Sequence, residues 1–281
     1  MPRLFSIHAS ATRLAAEWGL PEFAWKLAAA AMSFFYRRSH WADWVTTHQV
    51  GLAGARQAGD RVAEAWMLNN LGMAYGVQRM PESVTCFEQA RTLYTELGDL
   101  EGEGRAATNV ANASYDLGRF EEALAMAEQA LVVQRRAGQS YGEGIALGIV
   151  GGACQHLGRF GEAITYLGEA LVIFRELGDR DAEAEHLGDL GDAYLGLDRI
   201  GDAVACYEQS LAIRRAIADR HGEAETLRRL SQVRLRAGSE DEARELLLAA
   251  LALFEELGDE AQAAELRASL TGPGKDWHAA I

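Results

Sequence analysis

The sequence predicts an all-α solenoid of stacked helical hairpins, on three observations. A Gly-Asp pair or its variant recurs at Gly59-Asp60, Gly98-Asp99, Gly138-Gln139, Gly178-Asp179, Ala218-Asp219 and Gly258-Asp259, at intervals of 39 and then four times 40 residues. Self-similarity at such a period marks a repeat architecture. Between the pairs, apolar residues recur at helical spacing, as in Leu124, Ala127, Ala130 and Leu131, or Ile164, Leu167, Leu171 and Phe174. Finally, the 29 glycines of a helix-favouring chain fall mostly at the joints or at one mid-helix position, so composition and period agree.

The elements follow in order. Residues 1–20 read as an N-terminal capping helix. Residues 21–60 form a divergent, aromatic-rich first hairpin with helices Glu22 to Arg37 and Trp41 to Ala58, in which Trp44 stands where later units place a small residue. Residues 61–259 hold five copies of a 40-residue unit. Each copy is read as two helices of about 17 residues joined by short turns that force neighbours antiparallel. Residues 260–270 read as a C-terminal capping helix and 271–281 as a flexible tail. Glycines such as Gly98, Gly138 and Gly178 are placed to end helices in the left-handed conformation, and Asp60, Asp99, Asp179, Asp219 and Asp259 to cap the next helix. Gly72, Gly151 and Gly191, facing Ala123, Ala163 and Ala203 in the repeat pattern, read as sites of close helix approach.

Charge and cysteine content exclude whole classes of function. Lys and Arg number 27 against 41 Asp and Glu, a net charge of −14, so the surface repels nucleic acid and anionic lipid. Cys86, Cys154 and Cys206 are odd in number and show no CxxC pairing, which predicts a reducing compartment and neither a disulfide framework nor a zinc site. Apolar runs fall short of the ~20 residues of a membrane span, and MPRLFSIHAS has no long apolar core of a signal peptide. The expectation is a cytoplasmic chain without membrane association.

Leu71-Gly72 with Tyr75, Leu190-Gly191 with Tyr194, and the second-helix sets Ala203, Tyr207, Ser210 and Ala123, Ala127, Ala130 resemble the tetratricopeptide repeat in its 40-residue form. Gly-Asp replaces the usual closing Pro, and Ser114, Cys154 and Arg234 replace the first-helix Tyr. The resemblance covers residues 60 to 259 and implies a right-handed superhelix whose first helices line a concave groove. A second stretch, Leu14 to Asp60 followed by AEAWMLNNLGMAY, resembles the start of the C-terminal repeat region of actinobacterial NB-ARC regulators of the AfsR type. That resemblance implies a sensor or autoinhibitory region acting on an upstream nucleotide-binding domain that this chain does not contain. With no GxxxxGK[ST] loop here, ATPase and DNA-binding activities are not carried over.

Catalytic signatures are missing: there is no HExxH, GxSxG or strand-borne GxGxxG. Glu183-x-x-His186 matches half of a di-iron motif without its second half, and reads as a solvated or groove pair. Cys154 and His156, two apart on a helix, do not face each other, and Cys154 reads as a core residue. Binding is the remaining chemistry.

If first helices face inward, the wall carries Asn69, Asn70 and Met73, then Arg105, Asn109, Asn112 and Tyr115, then His156. Glu185, Asp189 and Asp192 follow, and the last unit adds Arg228, Arg229 and Gln232. Asn70, Asn109 and Asn112 stand out because an amide offers both donor and acceptor to an extended peptide. The alternative is that they are polar surface filler. A carboxylate clamp of the lysine type is disfavoured, since Arg105 is the only basic residue near them.

The sequence therefore predicts a non-enzymatic protein or peptide interaction module with no cofactor and no metal, the sensor or autoinhibitory region of a transcriptional regulator. Rival readings are a free-standing peptide receptor or scaffold, and a small-molecule or enzymatic groove near His156 and His186. The aromatic N-terminus, with five of the six tryptophans, offers either a cap or a homodimer face.

Overall fold

The computed structural model describes residues 3–271, and among them the chain is fourteen α-helices with no strand. It divides into two compact units, Met1–Ala153 and Cys154–Ile281. The first unit contains α1 (Arg3–Glu17), α2 (Pro21–Arg37), α3 (Trp41–Ala58), α4 (Arg61–Gly76), α5 (Glu82–Leu97), α6 (Leu100–Asp116) and α7 (Phe120–Ala137). The division falls inside α8 (Ser140–His156). The second unit holds α9 (Phe160–Leu177), α10 (Arg180–Gly196), α11 (Ile200–Ala216), α12 (Arg220–Arg236), α13 (Glu240–Leu257) and α14 (Glu260–Thr271). The tail expected over 271–281 lies outside the described residues apart from Thr271. No helix of the described residues is long and apolar enough to cross a membrane.

Within each unit sequential helices pack as hairpins, α2 on α3, α4 on α5, α6 on α7, α10 on α11 and α12 on α13. First helices also touch across hairpins, α2 with α4 and α4 with α6, which is the stacking that makes a solenoid. α1 packs on α2 and α3, and α14 on α13.

The mid-helix small residue works differently from the expected small-on-small approach. A methyl placed on Gly72 would lie 2.6 Å from the Phe87 ring, and one on Gly191 would lie 2.6 Å from the ring of Tyr207. The missing side chain is thus a socket for an aromatic of the second helix. Phe87 and Tyr207 are buried in it, 4% and 0% exposed. The gain from burying a ring, about 1.5–3 kcal/mol, exceeds the ~1 kcal/mol cost of a helical glycine.

The joints are built from repeated hardware. Gly59, Gly98, Gly138, Gly178 and Gly258 take left-handed φ between +65° and +72°. The aspartate that follows accepts the N–H three residues on: Ala63 N donates to Asp60 Oδ1 at 2.9 Å, Gly102 N to Asp99 at 2.9 Å, and Ala182 N to Asp179 at 3.1 Å. An unforeseen brace, eight residues long, spans the joints at Gly59, Gly138, Gly178 and Ala218: Arg56–Glu64 at 2.8 Å, Arg135–Glu143 at 2.7 Å, Arg175–Glu183 at 2.9 Å and Arg215–Glu223 at 2.8 Å. Each arginine is about half exposed while its glutamate is largely buried, and the brace fixes the register of the joint.

Ala218 occupies the glycine position of its joint and is forced to φ +59°. A Cβ in that region costs about 1–2 kcal/mol. Ala218→Gly should therefore stabilise the second unit by about 1 kcal/mol in urea denaturation, whereas Gly178→Ala should lose a similar amount. An unchanged midpoint for both would remove backbone strain as the reason for glycine here.

Candidate functional site

The first unit presents α4 and α6 side by side, and its asparagines divide between interior and surface. Asn69 and Asn70 are buried, 5% and 3% exposed, rather than displayed. Asn70 Nδ2 donates to the Trp66 carbonyl at 2.8 Å, and Asn109 Nδ2 donates to Asn69 Oδ1 at 3.0 Å, joining adjacent hairpins. A buried amide must be satisfied, and these two are held by the fold itself. Asn112 is exposed, its Nδ2 donating to Asp116 Oδ2 at 3.2 Å. It retains an accessible carbonyl oxygen for a ligand.

Beside Asn109 and Asn112 opens a pocket of about 250 Å³ whose apolar lining is Tyr36, Met73, Val77 and Phe87, and which Asp116 also lines. Burial raises the Asp116 carboxyl above the usual range, with Arg79 opposing the rise. Four helices build this site: α2 gives Tyr36, α4 Met73, α5 Phe87 and α6 the polar edge. Arg105 lies outside it, exposed, with Glu101 at 3.8 Å and the Tyr94 ring centroid at 5.9 Å. Tyr115 is half-buried edge-on to Phe120, ring centroids 5.4 Å apart.

In the second unit the wall is ion-paired. Arg229 reaches Asp192 at 2.9 Å and Asp189 at 3.7 Å, and Tyr207 Oη donates to Asp192 at 2.5 Å. Burial opposes the Arg229 charge, but Asp192 and Asp189 more than compensate and its pKa is raised. The Asp189 carboxyl is pushed up to about 6, by burial first, with Arg229 working against the rise. Arg228 pairs with Glu225 at 2.8 Å, Gln232 is half-buried, and His156 is exposed at the end of α8.

Glu183, His186 and the cysteines have structural occupations. Glu183 is almost buried and holds Arg175 and Arg180, while His186 Nδ1 lies 2.8 Å from the Ala182 carbonyl with its ring 4.9 Å from that of Phe174. Cys154 is fully buried, and burial, then the charge of Glu82, pushes the Cys86 thiol up to about 11. No group of three His, Cys, Asp or Glu side chains among the described residues is arranged to hold a metal.

Sequence reasoning placed Met73, Asn109 and Asn112 on one face, and the structure brings them together. It missed Tyr36, Val77 and Phe87. The signal for Phe87 was present: an aromatic follows Gly72 by fifteen residues and Gly191 by sixteen, so socket and ring travel together.

Comparison with known proteins fits this architecture. The family model described as Tetratricopeptide repeat matches residues 63–136, 143–216 and 202–256. No curated protein matches the chain. Among solved structures it is similar to BtubC (BKLC) from P. vanneervenii, at 19% identity over 83% of this chain and 93% of that one, TM-score 0.66. It is similar to a Rap protein complexed with Competence and Sporulation Factor, at 17% identity over 88% and 73%, TM-score 0.63. The apo quorum sensor NprR from B. thuringiensis matches at 14% identity over 98% and 83%, TM-score 0.68. At these identities the likeness is one of fold.

Proposed function

The chain belongs to the tetratricopeptide-repeat family, and from that premise we propose that it is a protein- or peptide-interaction module whose α4/α6 face holds an extended segment of a partner. The observation that carries this reading is the pocket of about 250 Å³, apolar on the Tyr36, Met73, Val77 and Phe87 side and amide-rimmed on the other. Such a site seats one apolar side chain while Asn112 hydrogen-bonds the adjacent main chain. The Rap neighbour is complexed with Competence and Sporulation Factor and the NprR neighbour is a quorum sensor, which supports a segment-binding role.

The finer reading is the sensor or autoinhibitory region of a bacterial transcriptional regulator, supported by the likeness of Leu14 to Asp60 to NB-ARC regulators. A native reading frame with a nucleotide-binding domain preceding Met1 is the expected finding. A frame without one leaves the free-standing receptor in its place.

Panning an immobilised random hexapeptide library should enrich peptides with a large apolar residue at one fixed position. Val77 is 45% exposed and Asn112 exposed, so Val77→Glu/Asn112→Ala should fold normally by circular dichroism and lose the enriched peptides about tenfold or more. Enrichment that survives the double variant would remove this face from the binding site.

A further inference from the structure

A cavity of about 420 Å³ is lined by α11, α12 and α13 of the second unit, with Leu211, Leu227, Leu230 and Leu246 as its apolar lining. That volume lies within the roughly 300–1,000 Å³ of ligand pockets. The other copies of the repeat carry a long polar side chain at this place. Ala249 lines the cavity, and its counterparts in the preceding second helices are Gln89, Gln129, Glu169 and Gln209. Two of those amides tie one second helix to the next: Gln209 Oε1 accepts from Arg175 Nη2 at 3.4 Å, and Gln129 Oε1 from Arg91 Nη1 at 3.5 Å. Arg215 is the counterpart of Arg175, and both hold a glutamate through Nε, Arg175 to Glu183 and Arg215 to Glu223. Arg215, which also lines the cavity, has only a methyl group at position 249, and its two Nη groups make no hydrogen bond among the described residues.

A second change accompanies the first. Glu245, one helical turn before Ala249, stands where the other copies have Thr85, Ala125, Thr165 and Ala205. It lines the same cavity and has no ion-pair partner among the described residues. The remaining charges are matched to one another, Arg234 to Glu208 at 3.1 Å and to Glu242 at 3.4 Å. Arg215 or Glu245 alone would be ordinary surface. Together they put an unmet donor and an unmet acceptor at a leucine-lined cavity, in the one copy that lacks the side chain which elsewhere occupies the place.

We propose that this cavity is completed in trans by a segment of a partner protein that carries a glutamine beside a large apolar side chain. The glutamine oxygen accepts from an Nη of Arg215, as Gln209 accepts from Arg175, and its NH₂ donates to Glu245. A primary amide offers donor and acceptor together, and hydrogen bonds to charged groups are the stronger kind. A carboxylate in its place would meet Glu245 and an ammonium would meet Arg215, so each carries a repulsion that the amide avoids. The apolar neighbour lies against the four leucines. This second docking surface is built on different helices from the α4/α6 pocket and goes beyond the reading that rests on that pocket.

The test is a ¹⁵N-amide NMR titration of the full chain with millimolar blocked pentapeptides acetyl-GLGXG-amide, X being glutamine, glutamate, lysine or norleucine. Leucine and X lie on the same side of such a segment when it is extended. The glutamine peptide should shift the amides of Leu230 and Ala249, which line the cavity, and bind about tenfold or more tighter than the other three. Ala249→Gln, which restores the side chain that α11 carries, should abolish binding with Tm unchanged or higher. Glu245→Lys should move the preference from the glutamine to the glutamate peptide, a change that a merely structural role would not produce. The Val77→Glu/Asn112→Ala chain should bind the glutamine peptide as the wild type does, so that loss of the α4/α6 pocket leaves this site intact. No shift with the glutamine peptide, equal binding of the norleucine peptide, binding that survives Ala249→Gln, a preference unmoved in Glu245→Lys, or shifts lost in Val77→Glu/Asn112→Ala would each overturn the assignment.

Discussion

Truncating Trp44 to alanine should destabilise the first unit by about 3–5 kcal/mol, among the largest effects a single change can have. Trp44 is fully buried and is the hub of an aromatic cluster, with ring centroids of Tyr36, Trp41 and His48 at 6.1, 6.1 and 6.0 Å. Ala31, Phe35 and Ala74 complete the cluster. Later hairpins carry Ala123, Ala163 and Ala203 at this place, and their surroundings are shaped to a methyl group; those of Trp44 are shaped to an indole. Trp44→Phe should cost less than half as much as the alanine change, since the indole Nε1–H is buried without an acceptor in the protein and its removal forfeits no hydrogen bond. Urea denaturation followed by circular dichroism measures both. An alanine variant that loses less than about 1 kcal/mol would mean that the hairpin closes onto the small residue as its later copies do.

Acid should selectively weaken the same unit. His48 is fully buried one turn after Trp44, with Nδ1 3.1 Å from the Trp44 carbonyl. That contact requires the proton on Nδ1, so Nε2 presents a bare lone pair, and no donor reaches it. Burial lowers the imidazole from 6.5 to about 4, the Trp44 carbonyl acting in the opposite direction. Between those values the unfolded chain takes up a proton that the folded chain refuses, so stability is full above pH 6.5 and falls as pH drops toward 4. At ~1.36 kcal/mol per unit, the loss approaches about 3 kcal/mol. His48→Leu should flatten the stability profile across that window. A wild-type profile already flat from pH 6.5 to 4 would contradict a neutral buried imidazole.

The parts of the fold legible in the sequence are those governed by local rules. The left-handed glycines, the Asp caps and the helical apolar spacing each act within one turn, and every joint from Gly59 to Gly258 carried at least one half of the Gly-Asp signal. The Arg–Glu braces also span only eight residues, yet arginines and glutamates are too common for the pairing to stand out from Arg56 and Glu64 alone. Pocket and burial were less legible because they depend on which hairpins meet. Asn69 and Asn109 looked alike on paper, but one is buried under the other, a relation set by stacking forty residues apart. Phe87 is harder to read as a wall residue because it arrives from a second helix through the gap left by Gly72, and only the Gly72-to-Phe87 spacing signals it.

The joint hardware has an evolutionary corollary. Because cap, left-handed residue and brace recur at so many boundaries while the wall positions differ in each copy, a hairpin is an interchangeable cassette. A stretch beginning at one aspartate and ending at the next glycine brings its own fasteners. Duplication or loss of a single forty-residue segment can lengthen or shorten the array without new joint chemistry. Specificity is then free to drift one hairpin at a time.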